Sequence, residues 1–198
     1  MSLFKRLLNP NKNKVSEKEA RGKYYPEEKL PIDEKFTYNF NKNGGKFLYC
    51  ENFEETLEAF DNILLENDWY ETEVFCINEQ LTSRFDGFNL TFSKREKATF
   101  FLSTCESLVA NNGSILLSSN QMKEKKLHEL PDNIIIFATT SQLVDTISEG
   151  LRIIKNQCQG KIPSNITTIQ DFESNKEKDF MSYGSSTKNL YLLLLEDL

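Results

Sequence analysis

Three polar segments bring together residue types that chemistry can use. In Glu106-Ser107-Leu108-Val109-Ala110-Asn111-Asn112-Gly113-Ser114, a carboxylate close to a glycine turn can serve as acid, base or substrate-orienting group. In Pro163-Ser164-Asn165-Ile166-Thr167-Thr168-Ile169-Gln170, hydroxyls and an amide can donate to a carboxylate or phosphate, with no charged side chain beside them. In Tyr183-Gly184-Ser185-Ser186-Thr187-Lys188, a glycine, three hydroxyls and a lysine suit an anion-binding loop, with backbone N–H groups and Lys188 facing the ligand. That loop is not a P-loop, because spacing and strand-to-helix order both differ. The expected site is therefore Glu106 as the catalytic carboxylate. Its ligand-binding companions are Gly113, Ser114, Ser164, Asn165, Thr168, Gly184, Ser185, Ser186, Thr187 and Lys188.

Each segment also has a plainer structural reading. The first is then a short helical turn over Cys105 to Asn112, stopped by Gly113 at positive φ before a strand. The second is a loop capping a helix that runs on through Asp171 and Phe172, and the third is a surface turn. His128 is the one histidine, set among Lys125, Lys126 and Glu129, and nothing places it beside a nucleophile and a carboxylate as a triad requires. Cys50, Cys76, Cys105 and Cys158 form no C-x-x-C pair, so neither a zinc site nor an iron–sulfur centre is indicated. They read as buried, reduced thiols. No metal and no cofactor is called for by these residues.

Hydrophobic patterning supplies the elements that must position these groups. Lys46 to Cys50, Val74 to Ile77, Ala98 to Leu102, Ser114 to Ser118 and Asn133 to Ala138 are short apolar runs that read as strands. Asn52 with Glu55 makes a capping-box-like start for a helix whose Phe53, Leu57, Phe60 and Leu64 share a face. A later helix, capped by Thr140 or Ser141, is expected to align Leu143, Ile147, Leu151 and Ile154. Asn189 to Leu195 ends in a run apolar on both faces, which places it centrally in an α/β sheet. Trp69, at the end of a helix, reads as a packing residue.

Charge and composition bound the function. The chain has 198 residues with 30 acidic and 24 basic side chains, a net charge of -6. Residues 1–29 hold eight Lys/Arg against four Asp/Glu, or +4, and the remainder holds 16 against 26, or -10. The organisation expected is a basic, partly ordered arm over residues 1–35 and one α/β domain over 36–198. An acidic body speaks against general nucleic-acid binding. No apolar run approaches the roughly 20 residues of a membrane span. The N-terminus lacks the apolar stretch of a secretory signal, so the expected compartment is cytoplasmic.

The second half resembles a known family. Ala110-Asn111-Asn112-Gly113-Ser114-Ile115-Leu116-Leu117-Ser118-Ser119 is similar to the A-x-T-G-T-hydrophobic segment of the LUD (lactate utilisation) domain family, in its LutC-like branch. Cys105-Glu106-Ser107-Leu108-Val109-Ala110 looks like that family's A-D-x-A-I-A approach, with Glu106 at the acidic position. Pro163 to Gln170 stands where the family has P-S-x-T-A-D-I-E, and Gly184 to Lys188 where it has G-x-H-G-P. In this chain Thr168 and Gln170 replace the family's two acids, and the histidine is absent, which removes groups that acid–base chemistry can use.

The resemblance implies a mainly parallel sheet flanked by helices, similar to the sugar-phosphate isomerase and CoA-transferase group. It also implies a part in oxidising L-lactate to pyruvate beside iron–sulfur partner subunits. The reading that follows is an accessory or ligand-binding subunit taking a small carboxylate or anion. Two other readings stand beside it. One is a stand-alone enzyme acting on a CoA ester, sugar phosphate or folate-like substrate through Glu106; the other is a non-catalytic interaction protein.

Overall fold

The computed structural model describes residues 30–94, 97–157, 162–172 and 188–197. From Ile32 to Ser93 the described chain alternates helix and strand, and further strands then follow one another. Helix α1 (Ile32–Lys42) leads to β1 (Lys46–Cys50), α2 (Phe53–Asn67), β2 (Glu73–Phe75), α3 (Glu79–Arg84), β3 (Thr91–Ser93) and β4 (Phe100–Ser103). Strand β5 (Ser107–Val109), β6 (Ser114–Leu117), α4 (Ser119–Met122), β7 (Asn133–Thr139) and β8 (Leu143–Val144) follow. Helix α5 (Ile147–Gln157), β9 (Thr167–Ile169) and β10 (Asn189–Leu195) complete it. Helix α1 opens at Ile32, inside the segment expected as an arm; residues 1–29 lie outside the described residues.

Six strands form one parallel sheet in the order β1-β10-β7-β4-β2-β3. The expected parallel α/β sheet is present, and its most apolar strand, β10, is an interior one flanked by β1 and β7. Leu190 to Leu194 are all buried between β1 and β7. On one face α2 lays Phe60, Ile63 and Leu64 against Phe100, Leu102, Ile135 and Leu193. Asn52 caps that helix as expected, its side-chain oxygen accepting from the Glu55 N–H at 2.9 Å, while Glu55 accepts from the Glu51 N–H. Trp69 joins this layer by stacking on Phe100 with ring centres 5.0 Å apart.

The other face carries α1 and a second sheet, β8-β5-β6-β9, which sequence patterning did not announce. Phe36 and Phe40, one helical turn apart on α1, pack with Phe101, Ile115, Ile134 and Leu192. Helix α5 covers the far side of the small sheet, where Gly150 comes close to Leu116 and Ser107.

Three local expectations fail here. Residues 107–109 form β5 rather than a helix: paired with β6 and β8, their backbone groups gain ladder partners that a single helical turn cannot supply. Residues 167–169 form β9, antiparallel to β6, and not the start of a helix. Leu143 belongs to β8, so α5 begins only at Ile147, with Ile154 buried and Leu151 exposed.

Candidate functional site at the strand ends

A parallel sheet has two chemically distinct ends, and the expected site residues divide between them. At the N-terminal end, Asn43 lies just before β1. Its amide donates to the carbonyl of Asn112 at 2.7 Å, while Asn39 of α1 donates to that of Ala110 at 2.8 Å. These bonds dock the β5–β6 turn on the end of α1. Gly113 is needed there twice over. Its φ is +66°, and a Cβ would stand 2.4 Å from the backbone of Asn39 and Phe40. Ser114 is fully buried and gives its hydroxyl to Asn112 Oδ1 at 2.8 Å. Both residues serve the architecture of the turn.

Lys188 lies at this same end, directly before β10. It is 1% exposed, and its ammonium donates to the Leu130 carbonyl at 2.8 Å and to Asp132 Oδ1 at 3.0 Å. The lysine expected to face a ligand is thus an inward-facing tether, because a buried ammonium must find acceptors for its N–H groups and these two oxygens supply them. Gly184, Ser185, Ser186 and Thr187 lie outside the described residues. The two ends of the seven-residue β10 are roughly 20 Å apart, so Gly113, Ser114 and Lys188 are remote from whatever lies at the other end.

That other end holds Glu106. It is half-buried where β4 passes into β5, and its Oε1 accepts from Ser118 Oγ at 2.6 Å and Asn120 Nδ2 at 2.8 Å. Its second oxygen takes no hydrogen bond among the described residues. Ser118 can hold this position because β6 ends there and its hydroxyl also caps α4, accepting from the Asn120 N–H at 3.0 Å. The strand that returns as β9 brings the second expected segment alongside. Ser164 exchanges two hydrogen bonds with Ser119, and Asn165, held at φ +54°, donates to the Lys125 carbonyl. Glu106, Ser164 and Asn165 are therefore gathered at one edge. Thr168 sits further in, half-buried within β9 opposite Leu116.

The rim continues across the main sheet. Gln142, just past β7, accepts from the Thr139 N–H and donates to the Cys105 carbonyl at 2.6 Å. Asp197, just past β10, accepts from Thr140 Oγ1, the Ser141 N–H and Ser141 Oγ at 2.6–2.8 Å. Burial works to raise its pKa, but these donors, with Thr139, outweigh it and hold the carboxyl below the ordinary value. Tyr49 donates to Glu196 beside it. Arg84, at the end of α3, lies over the rings of Phe53 and Phe137 on the α2 side of the same edge. Asp197 and Arg84 were missed in the sequence. A polar residue immediately after the last apolar strand was the available signal for Asp197; Arg84 had none.

The described thiols lie beneath this rim, where Cys105 Sγ accepts from Gln142 Nε2 at 3.7 Å. Cys50, Cys76 and Cys105 are buried and free, and burial pushes Cys76 up to about 11 and Cys105 further; Cys158 lies outside the described residues. A separate groove of about 380 Å³ runs along the flank of α2, lined by Leu57, Glu58, Asp61, Tyr70 and Phe88. Among the described residues no helix is long and apolar enough to cross a membrane.

A crystal structure of a DUF162 family protein from Deinococcus radiodurans shares this fold. It is 14% identical, with a TM-score of 0.57 over 85% of this chain and 100% of that one. No curated protein matches the sequence significantly. The model of the LUD domain matches residues 34–195, from α1 to the last residue of β10. Both sheets and both ends of the strands fall within that match, and the chain belongs to the LUD domain family.

Proposed function

We propose that this LUD domain is an accessory or ligand-binding subunit in the oxidation of L-lactate to pyruvate, that it binds a small carboxylate at the C-terminal edge of its sheet, and that iron–sulfur partner subunits carry the electrons. The family's association with lactate utilisation supports the pathway. The observation that carries the site is Glu106, a carboxylate gripped on one oxygen by Ser118 and Asn120 and open on the other. It stands at the strand ends where open α/β sheets receive ligands. A carboxylate oriented in this way can accept a hydrogen bond from the hydroxyl of a 2-hydroxy acid, with Ser164 and Asn165 at the rim beside it. Cysteines dispersed along the sequence fit electron transfer by other subunits, and the buried thiols of Cys50, Cys76 and Cys105 fit a reducing, cytoplasmic setting.

NMR titration of the full chain with L-lactate and pyruvate tests the reading. L-Lactate binding should weaken about tenfold in Glu106→Gln, the scale of one charged hydrogen bond, while pyruvate, which has no hydroxyl to give Glu106, should not weaken. The chain should also associate with purified iron–sulfur subunits of a lactate-utilisation system. A chain that binds neither acid and never associates overturns the reading. Turnover of a CoA ester or sugar phosphate by the chain alone, lost in Glu106→Gln, would replace it with the enzyme reading.

A further inference from the structure

A carboxylate ligand is held most strongly by a cation, and the rim around Glu106 is made mostly of acids, amides and hydroxyls. Arg84 supplies one. Its guanidinium carbon lies 5.9 Å from the centre of the Phe53 ring and 5.6 Å from that of Phe137. Phe53 opens α2 directly after β1, and Phe137 stands two residues before the end of β7. The guanidinium is therefore at the C-terminal edge, on the α2 face. The two rings meet edge to face at 6.4 Å, and both pack on Phe85 at 6.2 and 6.0 Å. Three elements thus fix a firm aromatic floor under the cation.

Arg84 is exposed and makes no ion pair and no hydrogen bond among the described residues, so its five N–H donors stay open to a ligand. The nearby acids do not claim it. Asp86 accepts from the Gly87 N–H, and Glu55 accepts from Glu51 and Asn52. Alternation along β7 puts Thr139 on the same face as Phe137, and its hydroxyl is linked to that of Ser141 at 2.9 Å. Beyond them, Gln142 leads to Cys105 and Glu106 on the opposite face of the sheet.

We propose that Arg84 is the carboxylate anchor of the edge site, a binding residue that recognises small 2-hydroxy and 2-oxo acids. This rests on the reading that the ligand lies at the C-terminal edge. A planar guanidinium held on aromatic faces meets a carboxylate with two parallel hydrogen bonds, which a lysine cannot do.

The test compares L-lactate with its neutral amide, lactamide, by NMR titration of the full chain. The wild type should prefer L-lactate. Arg84→Gln should weaken L-lactate about tenfold or more and abolish the preference over lactamide, with thermal stability unchanged. Arg84→Lys should recover part of it. Arg152→Gln, an exposed change on α5, should alter nothing. If Arg84→Gln keeps its lactate preference while Glu106→Gln weakens binding, the anchor is overturned and the edge site stands. If the wild type binds no carboxylate, both fall.

Discussion

The two ends of the parallel sheet carry similar polar side chains but use them differently. At the N-terminal end, Asn39, Asn43, Asn133, Asn189 and Lys188 all point at the protein's own oxygens. Asn189 donates to Asn133, which in turn donates to the Thr99 carbonyl, and Lys188 is buried with its partners. At the C-terminal end, Glu106 and Arg84 are each held on one side and open on the other. The first end is closed by its hydrogen bonds, whereas the second is only positioned by them. A polar residue near a strand is therefore weak evidence of a site until its remaining hydrogen-bonding capacity is counted.

The comparison breaks most readily at the closed end. Gly113→Ala forces a Cβ onto the α1 backbone at a left-handed φ, and should cost about 3 kcal/mol or more. Urea unfolding will show it as a lowered midpoint; an unchanged midpoint would mean that the turn is not docked on α1. Lys188→Met strips the Leu130 carbonyl of its donor and should cost about 1–3 kcal/mol, with lactate affinity within error of wild type. If affinity fell while stability held, Lys188 would have to be returned to the binding site.

The open end should respond in the opposite sense. Glu106→Gln keeps an acceptor for Ser118 and Asn120, so unfolding should move by less than about 1 kcal/mol while binding suffers. The smallest effect is expected at Asp197. Its folded pKa lies below the unfolded value, so its contribution is present at neutral pH and is lost as pH falls from about 4 through the folded pKa. Asp197→Asn should flatten the stability profile below about pH 4 and leave its shape unchanged above about pH 6. Wild-type and variant profiles that fall in parallel would show that the Ser141 and Thr140 donors do not hold the charge.

Much of the fold is legible in the chain. The Leu192 to Leu195 run could only be a covered strand, and Asn52 with Glu55 marked the start of α2 correctly. The small sheet was not legible, because β5, β8 and β9 are two or three residues long. Segments of that length carry no period and take their conformation from the neighbours they pair with. The arrangement of the candidate site was half legible. Glu106, Ser164 and Asn165 were chosen for their chemistry and do share an edge, although 58 positions separate Glu106 from Ser164.

Sequence alone determined the acidic α/β domain, its central strands, its capped helix and the scarcity of histidine. Those properties follow from local hydrophobicity, capping chemistry and composition, which need no knowledge of what lies across the sheet. Only tertiary structure decided which polar groups remain open. Strand direction sends Lys188 and Gly113 to one end and Glu106 and Arg84 to the other. Burial then commits the first pair to the protein's own carbonyls and backbone and leaves the second pair facing out.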